Sequence, residues 1–325
     1  AERLAQKIVS NLTREYNLDG LTYNSSASIG VTLFNSENLS KEDLLKQADM
    51  AMYKAKYAGR NGVQFFDPQM QVAVSSRAAI ISDLYSAIQS QQFVLFYQKQ
   101  VNHLKQCIGV EVLLRWIHPE KGMVSPLQFI PLAEETGLIV PIGEWVLEEA
   151  CATLAKWSLE SEKQHLSIAV NISVVQFSKD NFVQTVLYAL ETSGANPQLL
   201  KLEITETLLA NNIPDVKAKM KELQQHGVTF SIDDFGTGYS SLSYLKQLPI
   251  NQLKIDQGFV RDIINSSNDR AIAQAVITLA DSMELQVIAE GVETEAQRAL
   301  LQSMGCHTYQ GYLYGKPCRI EELHF

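Results

Sequence analysis

An α/β chain ending in a TIM-like (β/α)8 barrel is the fold the sequence predicts, on three observations. Eight apolar runs each close on a residue able to bind a metal, a proton or a phosphate, and segments with helical periodicity lie between them. The 325 residues also leave room for one barrel of ~250 residues plus a small extra unit. The runs and their polar ends are FVLFYQ to Gln98, CIGVE to Glu111, LSIAVN to Asn171, LLKLEITE to Glu203 and Glu206, VTFSIDD to Asp233 and Asp234, INQLKID to Lys254 and Asp256, LQVIAE to Glu290, and HTYQGY with Gln310. In a closed parallel barrel function collects at the carboxyl ends of the strands, which is where these residues fall.

In chain order, AERLAQKIVSNL reads as a helix already under way at Ala1, so a fragment of something longer is expected. A strand-like run, ASIGVTLF, follows, then a helix from about Ser40 with an apolar stripe of Leu44, Leu45, Ala48, Met52 and Ala55. Gly59, Arg60, Asn61 and Gly62 break that helix before the short strand VQFF. Residues 1–67 thus form a small α/β unit of a size marginal for an independent core. Residues 68–76 read as a linker, and 77–325 as the barrel, entered through the helix RAAIISDLYSAIQSQQ. The βα alternation begins at Phe93. Within the segment 179–206, Phe182, Val186, Leu187 and Leu190 make one helical face and Gly194 is placed to end the helix left-handed. In the next repeat Pro214 falls in the first turn of a helix and Gly227 just past its end.

A formal net charge of −9 argues against binding long nucleic acid through a basic surface, while a small phosphorylated ligand stays compatible through local cations. No apolar stretch approaches the ~18 residues of a membrane span and no signal-peptide pattern opens the chain. A soluble cytoplasmic piece is expected, with any membrane anchor upstream. Cys107, Cys151, Cys306 and Cys318 have no C-x-x-C spacing and suit reduced core thiols; the six histidines form no zinc motif. Oxygen ligands dominate, which favours a hard cation such as magnesium or manganese.

Adjacent carboxylates at Asp233 and Asp234 would repel unless a cation lies between them or one stays protonated. Because neighbouring strand residues face opposite ways, aiming both at one site requires the strand to end there. The bland alternative is that one aspartate only caps the next helix. Glu111, Asn171, Glu203 and Asp233 would converge from four strands as an oxygen cage for one cation, with Asp234 and Glu290 holding a second. Two cations ~3.5–4 Å apart suit phosphodiester hydrolysis, and Lys254 would orient the water or stabilise developing charge. Singly, Lys254 and Asp256 could merely pair at the rim and Asn171 cap a loop. The string FGTGYSS lacks both the G-K-[ST] of a Walker loop and the third glycine of a Rossmann turn, and fits a flexible lid better.

EVLLRW at 111–116, FIPLAEETGLI at 129–139, VNIS at 170–173, LEITE at 202–206, IDDFGTGYSSLSYLKQLPINQLKID at 232–256, AEGVE at 289–293 and QGYLYGKP at 310–317 also resemble, in order, the motifs of EAL-domain cyclic di-GMP phosphodiesterases. The resemblance implies a metal-dependent hydrolase that opens cyclic di-GMP to linear pGpG. It implies two magnesium or manganese ions per active site, held by Glu111, Asn171, Glu203, Asp233, Asp234 and Glu290, with Lys254 at the catalytic water. It further implies that Gln98, Arg115, Leu113 and Gln310 contact substrate and that Glu206 holds the DDFGTGYSS lid. Calcium is expected to inhibit, and a homodimer is compatible with the family. Three departures are visible: Val112 replaces the signature alanine, Lys99 stands where proline usually follows YQ, and His307 where an aspartate is common. Val112 should point away from the cavity if Glu111 points in, so activity is expected to survive. SIGV at 28–31, ADMAMYKAK at 48–56 and GRN at 59–61 are similar to the last part of a GGDEF domain without its signature loop, so no synthesis of cyclic di-GMP is expected from this fragment.

Two rival readings stay open at the level of sequence. One is a receptor that holds cyclic di-GMP without cutting it, whose mark would be a lost ligand such as Asp233 or Lys254. The other is an enolase-like barrel with a lysine base and one carboxylate-bound magnesium, against which the Asp233–Asp234 pair and Asn171 weigh.

Overall fold

Local chemistry sets the first elements of the computed structural model, which describes residues 1–18, 21–34, 39–210, 212–236 and 245–324. The chain divides into two units, Ala1–Asp83 and Leu84–Phe325. In the first, helix α1 (Glu2–Leu12) precedes an antiparallel hairpin of β1 (Glu15–Leu18) and β2 (Leu21–Asn24), with Leu18 opposite Leu21. This hairpin is not among the elements expected above, although the Asp-Gly dipeptide at 19–20 is a two-residue turn signal in the sequence. The ASIGVTLF run is trimmed to β3 (Ile29–Val31), which pairs in parallel with β4 (Val63–Phe65) across the crossover helix α2 (Lys41–Tyr57). Ser40 caps α2 by accepting from the Asp43 amide at 3.1 Å. Gly30 is required where β3 meets α2, since a Cβ there would lie 1.9 Å from the Ala48 carbonyl oxygen.

Residues 68–76, expected as a linker, are helical. They open one continuous helix, α3 (Pro68–Gln89), and the boundary between the units falls inside it. Pro68 occupies the first turn, where its missing N–H costs nothing, and Asp67 Oδ1 accepts from the Gln69 amide at 2.9 Å. No glycine or further proline follows to stop the helix before Gln89.

The second unit is a closed sheet of β5 (Phe93–Asn102), β6 (Cys107–His118), β8 (Ser167–Ile172), β9 (Leu200–Thr205), β10 (Thr229–Phe235), β11 (Gln252–Ile255), β12 (Gln286–Ala289) and β13 (Thr308–Gln310), with β7 (Gly122–Val124) added on β6. From β6 through β8 to β13 each pair is parallel, but β5 runs antiparallel to both neighbours, β6 and β13. The barrel is therefore closed and TIM-like without being all-parallel, and the expected helix between its first two strands is absent. Only residues 103–106 join β5 to β6, a length that permits a hairpin but not a parallel crossover, and Asn102 Oδ1 caps the turn by accepting from the Leu104 and Gln106 amides. Strand ends shift too. β5 continues past Gln98 and β6 past Glu111, so these two residues lie mid-strand, directly opposite each other.

The helical repeats behave as their punctuation predicts. The helix Phe182–Ser193 ends at Gly194 with φ 72°, burying Phe182, Val186 and Leu190. The helix Ile213–Gln225 begins with Pro214 in its first turn and is followed by Gly227 with φ 100°. Among the described residues no helix is long and apolar enough to cross a membrane. All four cysteines are free thiols; burial pushes Cys151 and Cys306 up to about 12, which leaves them protonated.

Candidate active site

Side chains alternate across a strand, so one inward-facing residue near the top of each barrel strand suffices to build a common site. The Lys254 ammonium, on β11 and 0% exposed, lies 2.5 Å from Glu203 Oε2, 3.1 Å from Asp233 Oδ1, 3.6 Å from Glu111 Oε2 and in contact with Glu290 Oε1. Four carboxylates, carried by β6, β9, β10 and the residue after β12, thus surround one cation. Burial alone would lower the lysine pKa, but these carboxylates together outweigh it and raise it well above the ordinary value, so Lys254 stays charged.

Around that centre the carboxylates outnumber the protein's cations. Burial pushes Glu203 up to about 8, with Lys254 opposing and Glu111 and Asp233 adding to the shift. Glu290 is raised for the same reasons, burial first. Asp234, open to the cavity on one side, is pushed up to about 6 by partial burial and then by Asp233 and Asp256. Glu203 Oε1 is buried without a hydrogen-bond donor among the described residues. Oxygen atoms of Asp233, Asp234 and Glu290 lie within 4.8 Å of one another, a spacing fit for one cation. The donor set is all oxygen, and both the excess negative charge and the orphaned Glu203 oxygen fit hard divalent ions.

The Asp233–Asp234 pair reaches one site by a different route from strand termination. β10 continues to Phe235, but its register against β11 slips between Ile232 and Phe235, and Asp234 takes φ 53°. This bulge turns Asp234 to the side that Asp233 already faces, and Asp233 Oδ1 accepts from the Asp234 amide at 3.0 Å. Left-handed backbone at an aspartate is tolerated because its short side chain bonds locally.

A cavity of about 440 Å³ opens above the acids, lined by Gln98, Glu111, Leu113, Arg115, Asn171, Asp233, Asp234, Glu290 and Gln310. Nine of the sequence-predicted residues meet there. Glu203 and Lys254 lie beneath its floor, and Val112 points away as expected. Asn171 Nδ2 donates to Glu111 Oε1 at 2.6 Å, which presents the amide oxygen as its ligand atom. Arg115 stacks its guanidinium 5.5 Å from the Phe96 ring and donates to the Leu114 carbonyl at 2.9 Å. Glu206 is buried and Oε2 accepts from the Gly236 amide at 3.3 Å, the first step of the expected lid. Positions 237–241 of that lid lie outside the described residues.

Gln257, Glu293 and Tyr312, not among the expected site residues, share the cavity wall. A polar layer deeper in the barrel was not expected either. Lys201, Ser231 and Gln252 stand two residues before Glu203, Asp233 and Lys254 on the same strands, and Lys201 Nζ donates to Gln252 Oε1 at 2.8 Å. Gln100 stands two residues beyond Gln98 on the reversed strand β5. Period-two counting from the site residues would have found all four.

A closed α/β barrel that gathers carboxylates around one buried lysine, below an open cavity, defines the class of barrel with an oxygen-donor site inside it. The chain belongs to the EAL domain family, which residues 81–317 match, and residues 1–62 match the diguanylate cyclase GGDEF domain. Among curated proteins it is similar to the bifunctional diguanylate cyclase/cyclic di-GMP phosphodiesterase MucR of Pseudomonas aeruginosa, 43% identical over 99% of this chain and 47% of that protein. It is also similar to the cyclic di-GMP phosphodiesterase NbdA of the same organism, 38% identical over 99% of this chain and 41% of that protein. The chain thus spans less than half the length of these relatives. Among solved structures, the MucR phosphodiesterase in complex with c-di-GMP superposes with TM-score 0.73 at 45% identity, covering 76% of this chain and all of that one. The EAL enzyme Bd1971, bound to cAMP and cyclic di-GMP, gives TM-score 0.73 at 32% identity over 87% of this chain and 75% of that one.

Proposed function

We propose that the barrel unit hydrolyses cyclic di-GMP to linear pGpG with two magnesium or manganese ions. The observation that carries this reading is the ring of Glu111, Glu203, Asp233 and Glu290 around Lys254 at the foot of an open cavity, with Asp234 adding a fifth carboxylate. Its support from outside the chain is the phosphodiesterase relatives and the c-di-GMP complex just described.

Glu111, Asn171, Glu203, Asp233, Asp234 and Glu290 would hold the ions. When bound, such ions supply Lewis-acid polarisation of the phosphodiester and a water that is nucleophilic at neutral pH. The residues of the chain then have separable tasks. Lys254 keeps its proton and presents fixed positive charge where negative charge grows on the phosphate and the attacking oxygen. Arg115, Leu113, Gln98 and Gln310 line the cavity and would grip the cyclic dinucleotide, Arg115 through its guanidinium. Glu206 anchors the start of the loop after β10 at Gly236, holding Asp233 and Asp234 in their bulged geometry.

The test is a product assay on the purified chain with cyclic di-GMP. Linear pGpG should form with magnesium or manganese and not after chelation; tight binding without product would assign the barrel to a receptor role. Calcium should occupy the oxygen ligands yet support no turnover, because its bonds of ~2.3–2.6 Å replace the ~2.0–2.1 Å of magnesium and misplace the reacting groups. Full activity with calcium alone would overturn the two-ion reading.

A further inference from the structure

We infer that Gln100 is a positioning residue that fixes the amide of Gln310 and, through it, the metal-binding carboxylate of Glu111. The inference rests on the two-ion reading and adds to it a residue that touches neither ions nor substrate.

Gln100 is 1% exposed, inside the barrel, directly opposite Gln310 on the antiparallel pair β5–β13. Its Nε2 donates to Gln310 Oε1 at 3.0 Å. With that oxygen engaged, the two protons of Gln310 Nε2 face the other way. One goes to Gln98 Oε1 at 3.0 Å and the other to Glu111 Oε2. Gln98 Nε2 in turn donates to the Gly315 carbonyl at 3.1 Å, which fixes its own amide and closes the chain. The whole set has one consistent sense. Flipping Gln310 would set its oxygen against Gln98 Oε1 and Glu111 Oε2 and its NH2 against the NH2 of Gln100, replacing three attractions by three repulsions.

Glu111 is thereby held from two sides, by Asn171 Nδ2 at Oε1 and by Gln310 Nε2 at Oε2. Removing the Gln100 donor leaves Gln310 Oε1 buried and unsatisfied and frees the amide to rotate, so Glu111 loses one fixed donor and part of its orientation. Outer partners of this kind set ligand geometry and typically change metal affinity ten- to a hundredfold, by about that factor in either affinity or activity.

The experiment is a double-mutant cycle on manganese affinity, measured by titration calorimetry without substrate. Gln100→Met keeps length and volume but not the donor. It should weaken manganese binding about ten- to a hundredfold, whereas in a Gln310→Met background the same change should have almost no further effect, because the path through Gln310 is already cut. In the metal-free protein, NMR should show the Gln310 side-chain amide protons protected from exchange, and Gln100→Met should abolish that protection. Unchanged manganese affinity in Gln100→Met, a full additive loss in the Gln310→Met background, or intact Gln310 protection would each overturn the inference. Failure of the unmodified protein to bind manganese would instead strike the two-ion reading, and the exchange measurement would still decide the role of Gln100.

Discussion

At the scale of single residues, Lys254 is the side chain whose environment is most demanding. A fully buried ammonium has a large desolvation penalty, and it is tolerated only because Glu203, Asp233, Glu111 and Glu290 converge on it. Replacing it leaves buried carboxylates unmatched. Lys254→Ala should therefore destabilise the metal-free protein by about 3–5 kcal/mol in urea unfolding, with part of the loss recovered on adding manganese. In the metal-loaded protein it should lower kcat by roughly a hundredfold or more with a smaller change in KM. A rise confined to KM would make the lysine a substrate clamp. The sequence made Lys254 legible as a strand-end cation. It did not reveal that the four acids would surround it, since which strands become neighbours is a property of the closed barrel.

At the scale of elements, two departures from ideal geometry carry consequences. The bulge in β10 aims Asp233 and Asp234 at one cavity, and Glu206 is tied to the backbone just after it through the Gly236 amide. Glu206→Gln keeps the shape but replaces a charge-assisted bond by a neutral one of about half its strength. It should weaken magnesium dependence and rate together, by about tenfold, with near-native thermal stability; metal titration followed by steady-state kinetics would show it. If both stay at the native level, the Glu206–Gly236 bond has no part in holding the site. The second departure is α3, where the absence of Gly and internal Pro between residues 69 and 89 lets one helix run through the expected linker. A loop would accept proline at position 75, whereas the helix should not. Ser75→Pro should reduce helical circular dichroism at 222 nm and destabilise this segment by ~3 kcal/mol. The hairpin β5–β6 was equally readable in principle from its four-residue connection, but the apolar runs on either side match parallel and antiparallel strands alike, so periodicity could not give the direction.

At the scale of the whole molecule, the acid cluster ties folding to pH and to cations. Asp234 at about 6 and Glu203 at about 8 both lie above their ordinary values of 3.8 and 4.5. Between those limits the folded metal-free protein binds more protons than the unfolded chain, so its stability falls as pH rises from roughly 4 to 8. Divalent ions need the deprotonated ligands and relieve the repulsion that deprotonation creates. The increase in Tm on adding manganese should accordingly be larger at pH 8 than at pH 5.5, and differential scanning calorimetry at the two pH values measures it. Equal increases would mean that the carboxylates are not the ligands.

By itself, the sequence determined the barrel class, the family motifs and most of the side chains that meet in the cavity. Those features are local: an apolar run, a polar terminus and a helical stripe are written in consecutive residues. Tertiary structure alone decided the reversed direction of β5, the placing of Glu203 and Lys254 beneath the floor, the bulge that unites Asp233 with Asp234, and the amide chain from Gln100 to Glu111. Each depends on residues far apart in sequence becoming neighbours when the sheet closes on itself, because strand direction, register and shear are fixed by packing and backbone pairing rather than by the composition of any one strand.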